Sequence, residues 1–390
     1  MKKSNLSIAF TGDIGFDRYM DRKWEDDALL SEGVLKFFHS ADHVCANVEG
    51  ALIDTVDDGS RGVCFHSMNP AAADFLKKIH ADIWTIGNNH AMDAGRDGVI
   101  STKKIAAECG AVTVGAGLNI DEASEPIYLS GAGGIGIITL SYMMECVPAT
   151  ETEPGTFRWD DFEKIARRIS EIKKKCRWCV VVVHGGEEFS SIPLPYTRDK
   201  YIRYLDFGAD VVVGHHPHVP ENYELFEGGK AIFYSLGNFI FDTDYQRAHP
   251  YTDLGVILKL NFTEDAFDFE AIGTRLDRSV GRLSESALPD IFVNIPNDEY
   301  ELLSPLAAKA FVEDDKRKMI YLEPERFTNA PDSVWNEYFF STNPDGYFKG
   351  EHMDLELVVP YSRLADKGLW KNSRLDGVKS YLFAQIDYKK

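Results

Sequence analysis

An α/β fold with a layered sheet is predicted for this chain, on three observations. Short apolar runs alternate with helix-like stretches through the first two-thirds of the sequence. The valine-rich run Val180–Val183 reads as a strand buried on both faces. Successive apolar runs end in polar clusters, and in open α/β sheets ligands bind beyond the carboxyl ends of the strands.

Leu6–Phe10 is the first expected strand, entering a turn at Thr11-Gly12-Asp13 where glycine lets the backbone bend and present a carboxylate. His43–Asn47 is the second, ending at Asn47-Val48-Glu49. Ala71–Ile79 has helical spacing, with Phe75, Leu76 and Ile79 on one side. Ile83–Ile86 reads as a strand that stops at Gly87-Asn88-Asn89-His90. Val99–Cys109 is expected to be helical, with Gly110 as its C-cap. Gly134–Leu140 is a strand, and Trp159–Lys175 a helix. That helix begins with Asp160 and Asp161 and ends with Lys173–Lys175, which suits the helix dipole. Asp199–Phe207 reads as helix, and Val211–Val213 and Ala231–Leu236 as strands. Leu254–Phe262 opens a more alternating, antiparallel-like stretch. Leu283–Lys318 is expected to be helical and acidic. Beyond Thr328, aromatics (Trp335, Tyr338, Phe339, Phe340, Tyr347, Phe348) mix with charges and no motif stands out.

With 390 residues, one large domain plus a smaller appendage is expected, with a boundary near residue 265. A hydrophobic fraction of 44% and a charged fraction of 27% suffice for a core without disulfides. The net charge of −20, from 62 acidic and 42 basic residues, works against nucleic acid and anionic membranes. A polyanionic substrate would need a local positive field, which bound divalent cations supply. The run Leu6–Phe10 is too short for a signal-peptide core, and no apolar run is long enough to span a bilayer. A cytoplasmic protein with six reduced cysteines is therefore expected. Cys176-Arg177-Trp178-Cys179 is a lone CxxC without the second pair that structural zinc sites use, so Cys179 is expected to be a buried strand residue.

The candidate chemistry lies at the strand ends. Gly214-His215-His216-Pro217-His218 packs three imidazoles into a tight loop, and imidazole with carboxylate suits Zn, Mn, Fe or Co. A His-rich surface loop would read the same way. Asn89-His90 with Asp93 pairs a histidine with a nearby carboxylate, the arrangement of general acid–base pairs. Taken alone, helix capping by Asn89 explains that segment more simply. His184-Gly185-Gly186-Glu187-Glu188 brings a histidine and two carboxylates to the end of the valine strand, unless it is a glycine-rich turn with solvated glutamates. Separately each has a bland account; a shared metal site explains all the strand ends at once.

In this order, Thr11-Gly-Asp-Ile-Gly-Phe-Asp-Arg18, Asn47-Val-Glu-Gly50, Gly87-Asn-Asn-His-Ala-Met-Asp93, His184-Gly-Gly-Glu-Glu188, Gly214-His-His-Pro-His-Val219 and Tyr234-Ser-Leu-Gly-Asn-Phe239 resemble the CapA-type (PgsA-type) poly-γ-glutamate capsule biosynthesis family, related to calcineurin-like metallophosphoesterases. The resemblance covers roughly residues 6–245. It implies a calcineurin-like metallophosphoesterase β-sandwich flanked by helices over residues 1–265, with a C-terminal accessory region over 266–390. It further implies a metal-dependent, hydrolase-like activity on a phosphoester or γ-glutamyl substrate, or a non-hydrolytic binding role in an anionic-polymer assembly. Asp13, Glu49, Asn89, His184, Glu188, His216 and His218 match the metal-binding positions, for one or two divalent ions with Mn, Zn and Fe foremost. His90 matches the catalytic histidine with Asp93 its partner, and Arg18 an arginine that would meet a substrate anion. The partner implied is an anionic small molecule or polyglutamate.

Several positions depart from the family pattern. Gly15 stands where the broader family carries the histidine of Asp-x-His, and Glu49 where a bridging aspartate is usual. One metal subsite is thereby left open, with a mononuclear site as the alternative. His66 replaces an arginine after Phe65. Gly185 replaces a tryptophan and is expected to open the pocket. The N-terminal membrane anchor of many relatives is not expected here.

Overall fold

The structure, a computed structural model, describes residues 5–54, 65–142 and 146–341. Cys64, Tyr347, Phe348 and the rest of the C-terminal stretch from residue 342 lie outside the described residues.

Two sheets form the centre. The first has eight strands, in the order Arg282–Ser286, Phe267–Asp277, Leu254–Phe262, Leu6–Ile14, His43–Val48, Ala81–Thr85, Val112–Val114, with Asn238–Ile240 also pairing Leu6–Ile14. The second has six, in the order Tyr223–Phe226, Lys230–Phe233, Val211–His215, Trp178–His184, Ile135–Ser141, Ile127–Leu129. The core between them follows from side chains alternating across each strand. Ile8, Phe10, Cys45 and Ile83 of the first sheet meet Ile135, Ile137, Val180, Val182, Val211 and Val213 of the second. The opposite sides of the same strands are covered too. Ala9, Val44 and Ala46 pack with Val34, Phe38 and Phe75 of the helices over the first sheet. Cys179, Val181 and Val183 pack with Ile165, Ile169 and Ile172 over the second. The valine strand is thus buried on both faces, as its composition predicts. The architecture is the helix-flanked β-sandwich expected from the family resemblance.

The helix expected over Trp159–Lys175 runs Phe162–Lys175, and Asp161 is its N-cap, accepting from the Lys164 N–H. Gly110 follows the helix Gly95–Glu108 with φ of +77°, the left-handed C-cap position that glycine adopts freely. The helix expected over Leu283–Lys318 needs correction. Arg282–Ser286 is the edge strand of the first sheet, and the helix spans Asn297–Leu322. Leu283 is buried while its neighbours are exposed, a strand's alternation, and Pro296 precedes the helix where its fixed φ is tolerated. A boundary near residue 265 would cut the hairpin between Leu254–Phe262 and Phe267–Asp277, whose strands pair from Phe262↔Phe267 to Leu254↔Arg275. The sheet continues to Ser286.

Cys179 is completely buried, and burial pushes its thiol, like that of Cys45, far above the ordinary range. Neither is poised for redox or metal chemistry. No helix among the described residues is long and apolar enough to cross a membrane.

Candidate metal centre

Parallel pairing places the polar strand ends side by side. In the first sheet Asn238, Asp13, Asn47 and Thr85 are register partners across four strands. In the second, Ser141, His184 and His215 are register partners across three. The two rows close on one another at the same end of the sandwich. Beyond the ladder, the Glu49 N–H donates to the Ile14 carbonyl and the Asp13 N–H to the Gly237 carbonyl, which pins both acidic residues.

Asp13 and Glu49 are completely buried. Asp13 Oδ1 lies 3.2 Å from His215 Nδ1 and accepts from Asn47 Nδ2 at 2.8 Å; its Oδ2 lies 3.3 Å from His218 Nδ1. Glu49 Oε1 is 3.7 Å from His184 Nε2, 3.7 Å from His218 Nε2 and 3.9 Å from His90 Nε2. Asn89 bridges the cluster, with its Oδ1 2.9 Å from His184 Nε2 and its Nδ2 3.2 Å from His90 Nε2. His90 Nδ1 lies 2.8 Å from Asp93 Oδ2, so Asp93 orients the ring. His216 donates its backbone N–H to Asp13, and its ring centroid is 5.0 Å from that of His184. His216 and His218 both have positive φ, 96° and 58°. Such conformations cost about 1–3 kcal/mol per non-glycine residue and persist only where surrounding packing enforces them.

The donor set suits a cation. Neither Glu49 oxygen has a hydrogen-bond partner among the described residues, although the side chain is wholly buried. An uncompensated buried carboxylate costs several kcal/mol. Its imidazole neighbours sit too far for hydrogen bonds. Atoms that each lie about 2.0–2.2 Å from one ion are roughly 3–3.6 Å apart, close to these separations. One ligand atom each from Asp13, Glu49 and His184 lies within 4.8 Å of the other two.

The electrostatics agree. Burial works to raise the Asp13 carboxyl, but hydrogen bonds from His215 and His218 outweigh it and hold the group well below its ordinary value. Glu49 is raised well above its ordinary value, chiefly by burial. Burial depresses His184 strongly, takes His216 down to about 4, and lowers His90 despite Asp93. Those three imidazoles are held neutral, the form that ligates metals. Burial would lower His218 as well, yet the charges of Glu49 and Asp13 bring it to about 10.

Asp13, Glu49, Asn89, His90, His184, His216 and His218 are thus brought together. Glu188 stands further out: it is partly buried, accepts from the Tyr245 hydroxyl at 3.2 Å, and acts on Glu49 and His216 through its charge. Arg18 is exposed and donates to the Phe65 carbonyl at 3.3 Å. Three residues to which the family resemblance assigns no role contribute as well. His215 contacts Asp13, Asn47 connects Asp13 to His184 at 3.2 Å, and Asn238 Oδ1 lies 2.9 Å from His218 Nδ1. A useful signal was present for His215, since it directly follows the run Val211–Gly214 as His184 follows Val180–Val183.

Two departures from the family pattern have physical reasons. A Cβ at Gly15 would come within 2.7 Å of the Phe241 ring, so Phe241 occupies the place a larger residue would take. At Gly185 a Cβ would lie 3.0 Å from both the Trp159 ring and Tyr142. The pocket expected to open there is filled by those two aromatics.

Comparison with known proteins points the same way. The family profile described as Bacterial capsule synthesis protein PGA_cap matches residues 7–243. PGA biosynthesis protein CapA of Bacillus subtilis (strain 168) is 33% identical over 264 residues, covering 66% of this chain and 69% of that protein. Capsule biosynthesis protein CapA of Bacillus anthracis is 29% identical over 259 residues, covering 63% of this chain and 62% of that protein. A probable polyglutamine synthesis accessory protein of Mycobacterium tuberculosis is 25% identical over 217 residues, covering 52% of this chain and 57% of that protein. The last two alignments span less than two-thirds of those relatives' lengths.

Proposed function

The chain belongs to the bacterial capsule synthesis protein family PGA_cap, and from that premise we propose that it is a metal-dependent, hydrolase-like protein acting on a phosphoester or γ-glutamyl bond. The observation that carries this reading is Glu49: a wholly buried carboxylate with no hydrogen-bond partner among the described residues, facing three imidazole nitrogens.

Asp13, Glu49, Asn89, His184, His216 and His218, with Glu188 further out, would hold one or two divalent ions, Mn, Zn or Fe. A bound cation supplies an activated water and polarises a phosphoryl or acyl oxygen. The protein's own residues do the rest. His90, fixed by Asp93 through Nδ1, presents Nε2 toward the cluster. In this role Nε2 would take up the proton released by the attacking water and pass it to the leaving group, the alcohol oxygen of a phosphoester or the amine nitrogen of a γ-glutamyl amide, while Asp93 balances the charge on the ring. Arg18, at the exposed rim, would meet an anionic group of the substrate.

A second reading is a non-hydrolytic, metal-containing component that binds an anionic polymer during synthesis or export. One observation favours it: the accessory role in the name of the mycobacterial relative.

Elemental analysis of the purified protein, followed by assays with added Mn²⁺ or Zn²⁺ on an aryl phosphate and on a γ-linked glutamate oligomer, separates the two. The hydrolase reading expects bound metal and turnover that falls about 100-fold or more in His90→Ala. Tightly bound metal with neither bond cut establishes the binding role instead. A protein that retains no divalent ion at all defeats both.

A further inference from the structure

A second histidine–carboxylate pair flanks the cluster. His66 Nδ1 lies 2.5 Å from Asp17 Oδ2, and the two side chains are only 10% and 12% exposed. The backbone N–H of His66 donates to Asp93 Oδ2 at 2.7 Å, the same oxygen that lies 2.8 Å from His90 Nδ1. The His66 and His90 rings meet edge to face with centroids 4.3 Å apart. One carboxylate therefore locks both histidines into a common arrangement.

The local fold explains why His66 arrives there. Strands Ala51–Leu52 and Ser67–Met68 pair in parallel, which sets His66 beside Gly50 and next to Glu49. A Cβ at Gly50 would lie 3.1 Å from the His66 carbonyl oxygen, and Gly50 has a φ of +119° open only to glycine. Phe241 packs against both His66 and His218, at centroid distances of 5.2 and 4.9 Å, and ties the pair to the cluster.

The chemistry left open at His66 is at Nε2. Its Nδ1 is engaged by Asp17, and no described residue hydrogen-bonds Nε2, which keeps some contact with solvent. Asp17 Oδ1 is buried without a hydrogen-bond partner, so among the described residues His66 is the group that carboxylate serves. The exposed Arg18 guanidinium hydrogen-bonds the adjoining Phe65 carbonyl at 3.3 Å, adding a cation to the same rim.

We propose that His66, oriented by Asp17, is a substrate-contacting residue whose Nε2–H donates to an anionic oxygen, phosphoryl or carboxylate, of the molecule held at the cluster. With Nδ1–H given to Asp17, donation from Nε2 uses the second N–H of the doubly protonated ring, so the contact is charge-assisted on both nitrogens. The inference rests on the reading of the neighbouring cluster as a site for an anionic substrate.

The test is calorimetric titration of inorganic phosphate, and separately of γ-glutamylglutamate, into the Mn²⁺-loaded protein and its His66→Gln and Asp17→Asn variants. His66→Gln is expected to weaken one probe about tenfold, the scale of a single charge-assisted hydrogen bond. Its Mn²⁺ affinity should match the parent. Asp17→Asn should weaken the same probe by a smaller factor, because Nε2 remains but is no longer aimed; this variant decides the matter if His66→Gln fails to fold. The probe that responds identifies the anion class. With an ester that is turned over, KM should rise more than kcat falls.

Unchanged affinity for both probes in the variants overturns the proposal, as does a parent that binds neither. Parallel loss of Mn²⁺ and probe in His66→Gln also overturns it, since a brace for the cluster would behave that way. A parent that holds anions through His66 yet cuts no bond defeats the hydrolase reading alone. An ester hydrolysed equally well by the parent and by His66→Gln, with equal KM, defeats this proposal alone.

Discussion

The Glu49 carboxyl is buried without hydrogen bonds, and burial raises its proton affinity well above the ordinary range. Its ionised form is therefore a burden on the protein alone and an asset only when a cation is bound. Replacing it by an amide of the same shape should act with opposite signs on two measurements. Glu49→Gln is expected to lower Mn²⁺ or Zn²⁺ affinity at least tenfold, about 1.4 kcal/mol or more. The metal-free protein should melt no lower than the parent. Loss of stability without loss of metal affinity would mark Glu49 as a structural residue. Asp13, Glu49, Asn89 and His184 were legible in the sequence because each terminates or closely follows an apolar run. Asn47 and Asn238 were less so, because an amide that orients a ligand through a hydrogen bond has no spacing of its own. The filling of space at Gly15 by Phe241 was not legible at all, since the two positions lie far apart along the chain.

At the scale of elements, the site depends on how closely the strand ends can approach. A Cβ at Gly214 would sit 1.9 Å from the Tyr234 carbonyl oxygen, and one at Gly12 would sit 2.2 Å from the Gly237 oxygen. Both obstacles are backbone, which cannot swing aside as a flexible side chain can. Gly214→Ala should therefore destabilise the protein by about 1–3 kcal/mol or more, the usual cost of overpacking. It should also weaken metal binding, because His215 and His216 follow directly. Urea denaturation and metal titration read the two effects, and a stability within about 0.5 kcal/mol of the parent, as for a surface substitution, would contradict the close approach. The central strands and the helix ending at Lys175 could be recognised from sequence, although the helix starts at Phe162 rather than the expected Trp159 because Asp161 caps it. Arg282–Ser286 could not, because a five-residue edge strand with one buried side chain carries too little periodicity to compete with the helical sequence that follows.

For the whole molecule, the cluster joins two sheets that otherwise meet through apolar contact. Asp13, Asn47 and Glu49 come from the first sheet and the segment after it; His184, His215, His216 and His218 come from the second and its loop. A cation bound between them ties the halves together and neutralises the repulsion of Asp13 and Glu49, in a protein already carrying −20. A ligand that binds only the folded state stabilises it by mass action, about 2.7 kcal/mol at a hundred times its dissociation constant. Removing the metal by chelation should accordingly lower the melting temperature, and adding Mn²⁺ or Zn²⁺ back should restore it. The same treatment should shift Glu49→Gln far less, because that variant has lost an anionic ligand. The Arg198 guanidinium, held by Glu224 at 2.6 and 3.0 Å and by Asn297 at 3.0 Å, fastens the helix Asn297–Leu322 to the second sheet away from the metal ligands. Destabilising that helix by Arg198→Met should leave the metal-dependent part of the melting shift in place. A parent that melts identically before and after its metal is removed, with the removal verified by elemental analysis, would show that no cation bridges the two sheets.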